Sequence, residues 1–184
     1  MEVITDQDVT QIANLLADGA VGVLRTDTLY GIICVASNES SVQRIYQLKG
    51  RDDSKSPIVL VANQDQLYDE PTAKGKVLLD KVWPGPVSVV LPSQNAPRWI
   101  RRTNDSVAYR LPDNEFIQAL LRKTGPLIAP SANPQNAPAA TSIQQAIDYF
   151  GEELDFYVDG GEVGDVQPSK IYRVLQDGKV EQLR

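Results

Sequence analysis

"VGVLRTDTLYGIICVA" (residues 21–36) sets two apolar runs on either side of Arg25, Thr26, Asp27 and Thr28. Each run is short, carries β-branched residues and is bounded by glycine or polar positions, which predicts two buried strands around a polar connection. Thr26 and Thr28 are two apart, so in an extended segment both hydroxyls leave the backbone in the same direction. A cation, a carboxylate and two hydroxyls between strands built for burial have two readings: an ordinary strand-to-strand turn, or one wall of a pocket for a small polar ligand.

Strands and helices mix on both sides of this stretch. Upstream, Thr5 and Asp8 suggest an approximate capping box, and Val9, Ile12, Ala13 and Leu16 recur at helical spacing up to Gly19. Downstream, "NESSVQRIYQLKG" reads as a helix ending near Gly50, "PIVLVA" as a strand, "TAKGKVLLDKVW" as a helix stopped by Pro84, and "PVSVVLP" as a strand. "SVAYRLP" predicts a strand, "DNEFIQALLRKTG" a helix, "PLIAP" a strand, and "TSIQQAIDYFG" a helix opened by Thr141 or Ser142. The tail adds "FYVDGG" and an antiparallel pair around Asp177-Gly178, an Asp-Gly hairpin signal. The pattern predicts an α/β fold: an open, twisted, mixed sheet with flanking helices, formed by a single domain over residues 1–184.

Composition narrows the chemistry. The 184 residues contain no histidine and one cysteine, Cys34, which lies inside an apolar run and reads as a small core residue. Zinc sites of the His/Cys kind and imidazole acid-base catalysis are thereby excluded, leaving carboxylates, lysines, arginines, hydroxyls or an oxygen-held metal. A net charge of −6 argues against a surface that grips nucleic acid throughout, but leaves a local basic groove open. The N-terminal residues carry neither a basic nor an apolar leader pattern, no apolar run is long enough to span a membrane, and a cytoplasmic protein is expected.

Polar residues gather where predicted strands end, the place where open α/β sheets bind ligands. "LKGRDDSKSP" brings Lys49, Arg51 and Lys55 within seven residues just before an apolar strand. That pattern is either a solvated helix end or a fixed cationic rim suited to a polyphosphate. In "SVAYRLPD", Arg110 shares a strand face with Ala108, and an arginine in such a strand needs a groove or a carboxylate partner. In "APSANPQNAPAAT", Ser131 and Asn133 point the same way after a short strand; an Asn-Pro turn explains the second but not the first. The Pro-Gly-Pro of "WPGPVSVVLP" is sufficiently explained by turn geometry.

In order, "RTDTLYG", "KGR" with "KSP", "WPGPVSVVL", "SVAYRLPD", "PSAN" and the late "PSKI" resemble the motifs of the YrdC-like family of threonylcarbamoyl-AMP synthases, from about Leu15 to Arg184. The resemblance implies the short form, the YrdC-like domain alone. It implies an enzyme that joins L-threonine and bicarbonate to the AMP part of ATP and releases pyrophosphate. A threonylcarbamoyl transferase complex then uses the product to modify tRNA, and direct tRNA binding is left open. The implied nucleotide contacts are Lys49, Arg51, Lys55, Ser106, Asn133, Thr141 and Arg184, with Lys49 and Arg51 as catalytic cations and Mg²⁺ entering with ATP. The implied threonine contacts are Thr28, Arg110, Ser131 and Ser169. The sequence departs from the family where Arg25 replaces a usual proline, Asp27 a usual glutamate and Asp52 the proline of "GRP". Two alternatives share the motifs: the YciO-like branch, and a non-catalytic nucleotide- or RNA-binding module. Hydrogenase-maturation relatives carry zinc-finger cysteines that this chain lacks.

Overall fold

The computed structural model describes residues 2–5, 8–50, 52, 55–164 and 169–184. The two runs of the opening stretch are β2 (Gly22–Arg25) and β3 (Tyr30–Val35), after β1 (Glu2–Ile4) and α1 (Val9–Ala17). They pair antiparallel with Arg25 opposite Tyr30, so residues 26–29 form a hairpin loop. Helix α1 is capped by Asp8 itself, whose carboxylate accepts from the Thr10 and Gln11 amides, and not by Thr5.

The chain continues through α2 (Glu39–Lys49), β4 (Ile58–Leu60), α3 (Ala73–Val82), β5 (Val87–Pro92), α4 (Arg98–Arg101) and β6 (Ser106–Arg110). It closes with α5 (Glu115–Thr124), β7 (Leu127–Ile128), α6 (Ile143–Phe150), β8 (Phe156–Val158), β9 (Lys170–Val174) and β10 (Val180–Gln182). Gly50 ends α2 in the left-handed conformation at φ 58°, which a glycine adopts without strain. The ten strands of the described residues join one mixed, open sheet in the order β1-β8-β2-β3-β7-β4-β6-β5-β9-β10. β9 and β10 are antiparallel, as the Asp177-Gly178 signal predicts. The sequence reading did not include β1 or α4.

Alternation along the strands divides the core in two. Val23, Ile32 and Cys34 join the side chains of α2, α3, α4 and α6 on one face of the sheet. Leu24 and Ile33 join Ile12 and Leu16 of α1 and Ile117, Leu120 and Leu121 of α5 on the other. Cys34 is fully buried and its thiol is pushed well above the ordinary range by burial, so it is a packing residue and no nucleophile. On the α1/α5 face the helices lie over one half of the sheet, and the other half forms the floor of a cavity.

Candidate functional site

The floor is set by strand register. Arg173 pairs with Val90, Val90 with Ala108, and Ala108 with Ile58, so these four stand in one row across β9, β5, β6 and β4. All four line a cavity of ≈ 540 Å³, within the usual range for small-molecule sites. Along β6, Ser106, Ala108 and Arg110 face the cavity while Val107 and Tyr109 are buried in the opposite core. Arg110 thus shares the cavity face of β6 with Ala108, as the period of two predicts.

The hairpin loop after β2 is both a turn and a wall. The Thr26 amide and hydroxyl both donate to the Leu29 carbonyl, at 3.0 and 2.8 Å, which closes the turn. Thr26 and Thr28 both line the cavity, each 5% exposed, with their hydroxyls 3.3 Å apart. The Arg110 guanidinium reaches this wall, donating from Nη1 to the Thr28 hydroxyl at 3.2 Å and from Nη2 to the Thr26 hydroxyl at 3.3 Å. Asp27, between them, places Oδ1 3.0 Å from Arg110 Nη2. The sequence called for a groove or a carboxylate partner for Arg110, and the structure supplies both.

The "PSAN" segment forms the adjoining wall. The Ala132 amide donates to Tyr30 O, which ties this segment to β3, and Ser131 and Asn133 both line the cavity. Their side chains point the same way and touch, with the Ser131 hydroxyl donating to Asn133 Oδ1 at 2.6 Å. The Asn133 amide nitrogen donates to the carbonyls of Pro134 and Ala137, so this side chain also shapes its own loop.

Lys55, Ser106, Ser169 and Arg184 complete the expected residues found in the lining, beside Thr28, Arg110, Ser131 and Asn133. Ser169 is buried; its hydroxyl lies 3.3 Å from that of Ser88 and accepts from Arg184 Nη2 at 3.4 Å. Arg184 Nε also donates to Ser169 O at 3.0 Å, which ties the end of the chain to β9.

Two expected residues stand apart from the lining. Lys49 is only 4% exposed, and its ammonium donates to the carbonyls of Ser131 and Asn133 and to Asn133 Oδ1, at 2.5, 2.5 and 3.2 Å. It braces the "PSAN" wall from behind. Thr141 is exposed at the start of α6, where its amide and hydroxyl both donate to Gln145 Oε1. Arg51 lies outside the described residues.

The lining also holds Arg173, which the sequence reading passed over although "KIYRV" places it on the same strand face as Ile171, the argument used for Arg110. Lys55, Arg110, Arg173 and Arg184 give the described lining four cations, and no aspartate or glutamate belongs to it. In a chain of net charge −6 that segregation is a local choice. Among the described residues there is no group of three or more acidic or cysteine side chains that could hold a metal ion. Nor is any helix among them long and apolar enough to cross a membrane.

Sheet and cavity together define an α/β protein with a cation-lined basin at the sheet. The chain belongs to the Sua5/YciO/YrdC family, whose model, described as "Telomere recombination", matches residues 14–184. It is 38% identical over 172 residues to the threonylcarbamoyl-AMP synthase of Pseudomonas aeruginosa strain UCBPP-PA14, covering 91% of this chain and 92% of that protein. It is 34% identical over 166 residues to the Bacillus subtilis protein of the same name, covering 86% of this chain and 48% of that one. Among solved structures, P. abyssi Sua5 complexed with L-threonine superposes with a TM-score of 0.90 at 29% identity, over 100% of this chain and 57% of that one. The chain thus spans little more than half of Sua5. E. coli YciO, at 21% identity and a TM-score of 0.86, shares the fold.

Proposed function

We propose that this protein is an L-threonylcarbamoyladenylate synthase that uses MgATP, L-threonine and bicarbonate and releases pyrophosphate. The observation that carries the reading is the cavity: four cations and no carboxylate among the described lining residues, and an arginine set against two threonine hydroxyls at its floor. The names of the P. aeruginosa and B. subtilis relatives and the threonine held by Sua5 support it.

In this reading Arg110 and Thr28 hold the threonine carboxylate, with Ser131 and Ser169 at the same end. Threonine's amine and bicarbonate give a carbamate and water. A carbamate oxygen then attacks the α-phosphorus of ATP, the bond to the β-phosphate breaks, and pyrophosphate leaves. Such a displacement needs in-line positioning and charge neutralisation more than a proton-transfer base, which suits a chain without histidine. Lys55, Arg184 and Arg51 take the polyphosphate, Ser106 and Asn133 lie toward the nucleotide, and Lys49 acts by fixing the wall that Ser131 and Asn133 present. The absence of carboxylates among the described lining residues suits Mg²⁺ carried in on phosphate oxygens and water.

The product would pass to a threonylcarbamoyl transferase complex for tRNA modification, a role consistent with the cytoplasm. Purified protein incubated with ATP, L-threonine and radiolabelled bicarbonate is expected to release pyrophosphate only with all three present, and to carry the label into an adenylate. ATP binding with no pyrophosphate release for any amino acid would point instead to a non-catalytic module of the same fold.

A further inference from the structure

Arg173 is the one cation of the described lining without a role in the scheme above. It stands two residues after Ile171 on β9, and both side chains leave the strand toward the cavity. At a strand spacing of ~4.8 Å, the row from Arg173 to Ile58 is ~14 Å wide. Its middle positions are Val90 and Ala108, which cannot bond a polar ligand. Along this row, polar recognition of an anion must come from its two ends. Lys55 lines the Ile58 side, and Arg173 lines the other together with Arg184.

The charges around Arg173 leave its guanidinium uncommitted. Glu181 sits directly opposite it in the β9–β10 register, but the Glu181 carboxylate is 3.3 Å from Lys179 Nζ. Arg184 is tied to Ser169 O and to the Ser169 hydroxyl, and the charge of Arg110 is offset by Asp27 at 3.0 Å. Among the described residues the Arg173 side chain makes no ion pair. An arginine placed in a cavity wall, with its planar fork of donors open, is suited to phosphate oxygens.

We propose that Arg173 is a further polyphosphate-binding residue, acting with Arg184 on the margin opposite Lys55. This rests on the reading of the cavity as the ATP site. The test is calorimetric binding of ATP and of AMP to the wild-type protein and to Arg173→Ala, with Arg173→Gln as a second variant that keeps a polar side chain and part of the stem but not the charge. Loss of one charge-assisted contact is expected to weaken ATP roughly tenfold, with AMP little changed and the thermal midpoint unmoved. Unchanged ATP affinity in both variants would overturn the inference, and so would an equal loss for ATP and AMP. If the wild-type protein itself binds no ATP, the reading of the cavity fails, and that outcome is distinct from the failure of Arg173 alone.

Discussion

The Arg110 guanidinium lies 3.0 Å from the Asp27 carboxylate, and both side chains are buried, at 4% and 6% exposure. Burial pushes Asp27 above the ordinary carboxylate range and Arg110 below its own, each opposed by the charge of the other. Among the described residues neither Asp27 oxygen accepts an aligned hydrogen bond, and Arg110 Nε has no acceptor. A buried pair left so incompletely satisfied is a poor source of stability. What it achieves is placement, since it fixes a cation at the floor of the cavity between two hydroxyls.

Removing one partner should therefore cost more than removing both. Arg110→Ala leaves the Asp27 charge buried without compensation and is expected to destabilise the fold by about 3–5 kcal/mol. Arg110→Met combined with Asp27→Asn should recover most of that in urea unfolding. Neither variant is expected to support threonine-dependent pyrophosphate release. Threonine-dependent activity in the double variant would show that Arg110 does not hold the substrate carboxylate.

A second prediction concerns the segment behind the hairpin loop. Arg25 Nη1 donates to Gly160 O at 2.9 Å, and the Tyr30 hydroxyl accepts from Gly160 N and donates to Gly161 O. A Cβ at Gly160 would fall 2.6 Å from Arg25 Cβ, a clash that a rotamer change cannot relieve. Gly160→Ala should cost about 1–3 kcal/mol, read as a fall in Tm of roughly 3–9 °C. An unchanged Tm would mean that the 159–161 segment yields freely.

Most of the fold was legible because burial imposes a period. The alternation that sets Ser106, Ala108 and Arg110 against Val107 and Tyr109 can be read from five letters, and it predicts a groove-facing arginine. What escaped has non-local causes. β1 is three residues long and exists because it pairs with β8, some 150 positions later. Asp27 was visible as a departure from the family's glutamate, but nothing in the sequence showed that it meets Arg110. Lys49 read either as a cation at a solvated helix end or as part of a cationic rim for a polyphosphate, yet a loop 82 residues away covers it and takes its ammonium. Arg173 is a different case, since the period of two along "KIYRV" already places it on the face of Ile171.

Lys49 gives the third prediction. With its ammonium bonded to two carbonyls and an amide oxygen, Lys49→Met leaves those acceptors buried without a charged donor. The expected cost is about 2–4 kcal/mol. Because Ser131 and Asn133 move with the wall, the variant should also lose synthase activity beyond what its stability explains, at temperatures where it remains folded. Full activity at wild-type stability would remove Lys49 from any part in the site.

The fourth prediction separates two carboxylates by the sign of their pH response. Asp155 accepts from the Val21 amide at 2.7 Å and from both terminal nitrogens of Arg44, at 2.6 and 3.2 Å. Burial alone would raise its pKa, but the Arg44 and Val21 bonds outweigh it and hold the group below its ordinary value of 3.8. A depressed folded-state pKa means that the native state prefers the ionised form. The stabilisation is complete above the unfolded value and is lost as pH falls through the folded one. Since both side chains are more than a third exposed, solvent screening limits it to about 1 kcal/mol. Asp27 has the opposite sign: its raised pKa means that stability is lost as pH rises through the folded-state value. Urea unfolding from neutral pH down to pH ~2 should therefore show Asp155→Asn less stable than wild type near neutrality and converging with it in acid. A gap that widened in acid would show that the Arg44 contact does not control this carboxylate.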